Sequence, residues 1–86
     1  MNLATARVRH AVKKSRCTQK EVAQALQISE QYLSDILSGK RTISVHVALR
    51  LESVLGLDAT KLLHDQVIDE LREARSNLVQ TLDTHL

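Results

Sequence analysis

Residues that interrupt helices are almost absent from this chain. Proline does not occur in its 86 residues, and glycine occurs only at positions 39 and 56. The tight turns of β-hairpins depend on glycine or asparagine at positions of positive φ, and proline marks many other turns. A chain with so few turn residues has little means of reversing direction between short strands. The sequence therefore predicts an all-α protein.

The core of such a protein must be built from aliphatic side chains. Apolar residues make up 43% of the chain and aromatic residues only 1%. Leucine, valine, isoleucine and alanine are the usual core residues of a compact helix bundle. A chain of this length suffices for one modest hydrophobic core, so a second independent core is not expected.

Caps and apolar spacing divide the chain into five predicted helices. The first extends over about residues 3–15, and the second begins after the capping box Thr18-Gln19-Lys20-Glu21. The third helix covers about residues 30–38, with Gly39 in the left-handed position that ends it. The predicted N-caps of the last four helices are Thr18, Ser29, Ser44 and Asp58.

The second and third helices are separated by a turn of only three residues, 27–29. At 100° per residue, the third helix places Leu33, Ile36 and Leu37 on one side and polar residues on the other. A short helix that is held by a partner and presents short polar side chains has the shape that enters the major groove of DNA. The pair therefore predicts a helix-turn-helix.

Charge is distributed unevenly along the chain. Residues 1–56 carry a net charge of +5, whereas residues 57–86 carry −3. A basic first part favours a polyanionic partner, and an acidic last part suggests a different one. Two ordinary solvated faces would give the same numbers.

The segment from Thr18 to Ser44, TQKEVAQALQISEQYLSDILSGKRTIS, resembles the Cro and lambda-repressor family, also called the XRE family. With the fourth helix included, the resemblance covers about two thirds of the chain. It is carried by a glutamine after the first cap, a small residue in the second helix, an aliphatic residue in the third, and Ser-Gly followed by a base. Those residues are Gln19, Ala23, Leu33 and Ser38-Gly39-Lys40.

The resemblance implies a five-helix lambda-repressor-like DNA-binding domain and assigns roles to two sets of residues. The base-facing set is Glu30, Gln31, Ser34 and Asp35, with Gln31 suited to the paired hydrogen bonds that an amide makes to adenine. The set expected at the sugar-phosphate backbone is Gln19, Tyr32, Ser38, Lys40 and Arg41. Double-stranded DNA is the implied partner.

Three positions depart from the family pattern or from simple DNA electrostatics. Gln27 stands where the family has glycine, and a left-handed backbone would cost it about 1 kcal/mol. Glu30 and Asp35 place carboxylates near DNA. Each either accepts a hydrogen bond from cytosine or repels the phosphates, and Glu30 also suits the positive end of the helix dipole.

The remaining reactive side chains suggest no chemistry. Cys17 stands where the family has an aliphatic core residue, which predicts burial. The four histidines lack ligand spacing, and no nucleophile with a base or phosphate-binding loop is present, so no metal, cofactor or enzymatic activity is expected. A single cysteine, no signal peptide and no membrane-spanning run together predict a soluble, cytoplasmic protein.

The end of the chain is interpreted as a segment apart from the DNA-binding domain. That domain is assigned to residues 1–63, and residues 64–86 to a C-terminal helix for dimerisation or partner binding. Its apolar residues recur at the interval of a seam between helices. They are Val67, Leu71, Ala74, Leu78 and Leu82. Leu82 lies one residue out of register with the other four. Two copies would meet half-sites about 34 Å apart on a palindromic operator.

Residues 44–71 also resemble the end of HigA-type antitoxins, through Ala48-Leu49-Arg50-Leu51, Leu55-Gly56, Leu63 and Gln66. This resemblance implies a toxin protein as a second partner, although Leu62 replaces the usual aromatic residue. Three functions follow: a DNA-binding repressor acting as a homodimer, an antitoxin that also represses its operon, and an interaction module that does not bind DNA.

Overall fold

The computed structural model describes the backbone of residues 2–85 and the side chains of residues 2–80. The described residues form five α-helices and no strand, which confirms the all-α prediction. The helices are α1 (Leu3–Ser15), α2 (Gln19–Leu26), α3 (Glu30–Leu37), α4 (Val45–Leu55) and α5 (Ala59–His85). Leu82, predicted as the last residue of the apolar seam, lies outside the residues whose side chains are described.

Side-chain caps begin the helices where the sequence predicts them. In the box before α2, the Thr18 hydroxyl accepts the Glu21 N–H at 3.1 Å, and the Glu21 carboxylate accepts the Thr18 N–H at 3.0 Å. These hydrogen bonds hold the pKa of Glu21 below its ordinary value. The caps at Ser29, Ser44 and Asp58 each accept the N–H three residues later, so all four predicted caps are confirmed.

The core is aliphatic and receives residues from all five helices. Its largest fully buried side chains are Val8, Leu26, Leu33, Ile36, Leu51 and Leu62. The helix-turn-helix contributes the predicted inner residues Leu33 and Ile36 of α3, together with Val22, Ala23 and Leu26 of α2. Ile43, in the connection between α3 and α4, is also buried. The core therefore includes that connection as well as the helices.

Cys17 does not belong to this core, and the prediction of its burial is wrong. Arg16 ends α1 in the left-handed conformation, with φ of 62°. The next residue consequently lies in the exposed connection to α2, where the Cys17 N–H donates to the Ser15 hydroxyl at 3.2 Å. The family pattern has an aliphatic residue where Cys17 stands, and it does not indicate this change of chain direction.

The first turns of α5 are bound to the rest of the protein. Arg7 of α1 forms an ion pair with Asp65 at 2.8 Å, and the Leu3 N–H at the start of α1 donates to Asp69 at 3.1 Å. Gln66 bonds to the backbone of Ile43. These contacts fix α5 against α1 and the α3–α4 connection as far as residue 69.

Beyond residue 69, α5 extends away from the other helices. It contains 27 residues, equivalent to about 40 Å, and the longest dimension of the molecule is 52 Å against 23 and 20 Å for the others. Residues 70–80 are all exposed.

Among the described residues, no helix combines the length and apolar content that crossing a membrane requires.

Candidate nucleic-acid interface

The turn between α2 and α3 fixes the angle of the two helices. Gln27 adopts the left-handed conformation expected from the sequence, with φ of 59°. The Gln27 N–H donates to the carbonyl of Gln24, and the Ile28 N–H donates to the carbonyl of Ala23 at 3.0 Å. These bonds satisfy carbonyl groups in the last turn of α2. Ile28 packs against the core. The turn is therefore held by both hydrogen bonds and apolar contact.

The outer face of α3 is open to solvent. Leu33 and Ile36 are buried on the inner face, whereas Gln31 and Ser34 are exposed. None of the residues whose side chains the structure describes covers these two side chains, so they are accessible to a ligand. Tyr32 and Asp35 are half-buried at the edges of the same face.

Gln31 and Asp35 are joined by a hydrogen bond one helical turn apart. The Gln31 amide nitrogen donates to the Asp35 carboxylate at 2.9 Å. An amide carries two N–H groups and one carbonyl oxygen, so Gln31 retains one donor and its acceptor. This is the combination that pairs with the N6 and N7 atoms of adenine. The arrangement gives Asp35 a third possible role, which is to orient Gln31.

Glu30 is the first residue of α3 and is exposed. A carboxylate in the first turn interacts favourably with the positive end of the helix dipole. The position of Glu30 therefore suits the predicted interaction with the helix dipole.

The loop after α3 brings basic side chains beside the open face. Gly39 has φ of 80°, the left-handed conformation predicted there, and turns the chain back toward α3. The N–H groups of Lys40 and Arg41 then donate to the carbonyl of Asp35 at 2.9 and 3.2 Å. The Arg41 guanidinium lies over the Tyr32 ring, 4.4 Å from its centroid. This cation–π contact keeps Arg41 next to α3.

A groove between α1 and α3 extends this surface. Its volume is about 530 Å³, and it is lined by Arg9, His10, Val12, Lys13, Gln19, Ser34, Leu37 and Ser38. The predicted residues Gln19, Ser34 and Ser38 thus line a single concavity. Arg9 is held there by a hydrogen bond of 3.4 Å to the Leu37 carbonyl.

Arg9 and Lys13 were not among the residues predicted to contact DNA. They are exposed, four residues apart on α1, and line the same groove as Gln19 and Ser34. Their i, i+4 spacing places both on one helix face, which was the available signal in the sequence. The structure adds that this face borders α3.

The fold and this surface define a helix-turn-helix DNA-binding protein. A family model described as helix-turn-helix matches residues 8–62, more than half of the chain. The chain therefore belongs to this family of Cro and lambda-repressor type helix-turn-helix proteins, the XRE family, which confirms the resemblance and the expected fold. Membership makes it a DNA-binding transcription regulator. A comparison with curated proteins gave no match.

Proposed function

We propose that this protein is a sequence-specific repressor that inserts α3 into the major groove of a palindromic operator. The observation that carries the proposal is the open polar face of α3, on which Asp35 holds Gln31 at 2.9 Å. Side-chain order before binding reduces the entropy lost on forming a base contact. Gln31 is the proposed reader of adenine, and Ser34 lies one turn further along the same face.

The proposed phosphate contacts surround this face. They are Gln19, Tyr32, Ser38, Lys40 and Arg41, together with Arg9 and Lys13. Contacts to phosphate set the position of the protein on the duplex and supply affinity for every sequence, whereas contacts to base edges supply the preference. Glu30 is proposed to favour the start of α3 through the dipole, and Asp35 to orient Gln31.

The repressor is proposed to act as a homodimer through α5, with residues 1–63 as the DNA-binding domain and residues 64–86 as the dimerisation segment. The stripe of Val67, Leu71, Ala74 and Leu78 is exposed along its whole described length. Contiguous exposed apolar residues on a helix indicate a protein contact. A two-fold axis would present two copies of α3 to the two halves of a palindrome.

The roles of Gln31 and Lys40 are tested by measuring affinity for an operator and its single-base variants over a range of salt concentrations. Gln31→Ala should lower the preference at one base pair by about 1–3 kcal/mol, whereas Lys40→Ala should weaken binding to all sequences alike. Gln24→Ala on the exposed side of α2 serves as the matched control. Equal losses on every sequence from both variants would remove Gln31 from the role of reader.

A second candidate function is that of an antitoxin which also represses its own operon. The exposed apolar stripe on an acidic segment supports it, because such a surface also suits a basic protein partner. The test is a neighbouring reading frame of toxin size, followed by copurification of its product with this chain. A third alternative, an interaction module, predicts that affinity for DNA does not fall with salt, whereas phosphate binding requires a steep fall.

A further inference from the structure

Two apolar stripes occupy different sides of α5. The inner stripe consists of Ala59, Leu62 and the half-buried Leu63, and it faces the core. The outer stripe consists of Val67, Leu71, Ala74 and Leu78. At 100° per residue, the centres of the two stripes are about 95° apart around the helix. The outer stripe therefore cannot turn toward the core while the inner stripe packs there.

The outer stripe is exposed in the monomer. Val67, Leu71 and Leu78 have exposed fractions of 48%, 41% and 59%. The four residues of the stripe are spaced four, three and four apart. This spacing places Leu71 and Leu78 at heptad position a, and Val67 and Ala74 at heptad position d. The small Ala74 permits close approach of a second helix at the centre of this stripe.

The heptad register places opposite charges beside the stripe. Glu70 occupies a g position and Arg75 the following e position, and both are exposed. In a parallel two-stranded coiled coil, each g residue lies beside the e residue five positions later on the partner helix. Two copies in parallel would therefore form the Glu70–Arg75 ion pair twice, once on each side of the seam.

An antiparallel pair would not form these contacts. There, e residues face e residues and g residues face g residues, so Glu70 of one copy would not lie beside Arg75 of the other. With the seam centred between Leu71 and Ala74, Arg75 would lie opposite Ile68. The charge pattern consequently favours the parallel arrangement over the antiparallel one.

We propose that residues 67–80 of α5 form a parallel two-stranded coiled coil with a second copy of this chain, in which Glu70 and Arg75 select the partner and its direction. This inference rests on the dimer in the proposed function and specifies its interface. The two-fold axis then runs along the paired α5 helices. Asp65, Gln66 and Asp69 connect the paired segment to α1 and the α3–α4 connection, so its orientation determines where both copies of α3 lie.

The test is a charge exchange in the full-length protein, with dimer dissociation measured by analytical ultracentrifugation at low salt. Glu70→Arg and Arg75→Glu should each weaken self-association at least about tenfold, because each replaces two attractive contacts by two repulsive ones. An equimolar mixture of the two variants should recover the wild-type affinity to within a few fold, since each arginine again meets a glutamate. Glu73→Arg, at an outward c position, is the matched control and should dimerise as the wild type does. Circular dichroism on each variant verifies that helix content is preserved.

Three results would overturn the proposal: a wild-type chain that stays monomeric, single variants that dimerise normally, or a mixture as weak as the single variants. Binding to a DNA half-site, which one copy contacts alone, is measured on the same proteins. A wild-type chain that stays monomeric but binds the half-site, or single variants that dimerise normally and bind it, would reject the coiled coil and leave the DNA-binding function standing. A loss of half-site binding in a protein that dimerises would reject the proposed function instead.

Discussion

The side chain of Gln66 forms two hydrogen bonds with the backbone of Ile43. Its amide oxygen accepts the Ile43 N–H at 2.7 Å, and its amide nitrogen donates to the Ile43 carbonyl at 2.9 Å. Both hydrogen bonds are partly buried. Gln66 thus pairs with the N–H and the carbonyl of Ile43, as a neighbouring β-strand would, and it connects α5 to the chain segment that follows Lys40 and Arg41.

Gln66→Ala should destabilise the protein and loosen the α3–α4 connection. Removal of the amide leaves the N–H and carbonyl of Ile43 unpaired in a partly buried place, at a cost of about 1–3 kcal/mol. Urea unfolding measures the cost, and hydrogen exchange at the Ile43 amide locates it. Gln24→Ala, on the exposed face of α2, is the control. Unchanged protection of the Ile43 amide would show that the two bonds do not hold the connection.

Arg9→Ala and Lys13→Ala should each weaken DNA binding without changing sequence preference. If each side chain neutralises one phosphate, the slope of log affinity against log salt should become shallower by about 0.9 per substitution. Lys61→Ala removes an exposed positive charge from α5, away from the groove, and should leave the slope unchanged. Slopes that match the control would exclude the α1 residues from the interface.

Gln27→Gly should stabilise the protein. The residue has φ of 59°, a conformation that costs a side-chain-bearing residue about 1 kcal/mol relative to glycine. The larger entropy of glycine in the unfolded chain offsets part of this gain, so we expect an increase of about 0.5 kcal/mol. Thermal unfolding is the measurement. Gln24→Gly, within α2, should instead destabilise, and a similar loss from both substitutions would contradict the expected strain at position 27.

Glu21 should contribute to the acid sensitivity of the fold. Hydrogen bonds from the Thr18 backbone and side chain lower its pKa in the folded state below 4.5. A lowered folded pKa gives stability that is present above the unfolded pKa and is lost as pH falls through the folded value. Glu21→Gln retains an acceptor for the Thr18 N–H but does not titrate. The difference in unfolding free energy between wild type and variant should therefore shrink below about pH 4.5, and a constant difference would contradict this assignment.

Local features of the fold were predictable because they depend on residues close together in the chain. The capping box at Thr18 and Glu21 and the turn at Gln27 each involve hydrogen bonds between residues at most five apart. Their geometry follows from the residue types and from helical periodicity. The class of protein followed for the same reason, since the helix-turn-helix is a local motif of about two dozen consecutive residues.

Contacts between distant segments were not predictable in this way. Gln66 and Ile43 are 23 residues apart, and Arg7 and Asp65 are 58 apart. No periodicity in the sequence specifies such pairs, because they form only after the helices have packed. The prediction for Cys17 was wrong for a related reason. The left-handed conformation of Arg16 changes the direction of the chain between α1 and Cys17.

The sequence by itself determined the five helices, the caps of the last four and the polar face of α3, because helix formation depends on neighbours within one or two turns. The tertiary structure decided that α1 places Arg9 and Lys13 beside α3, and that the outer stripe of α5 stays uncovered. Those outcomes depend on which helix faces the shared core occupies. Packing sets this, since each buried stripe must fit against the others at the same time.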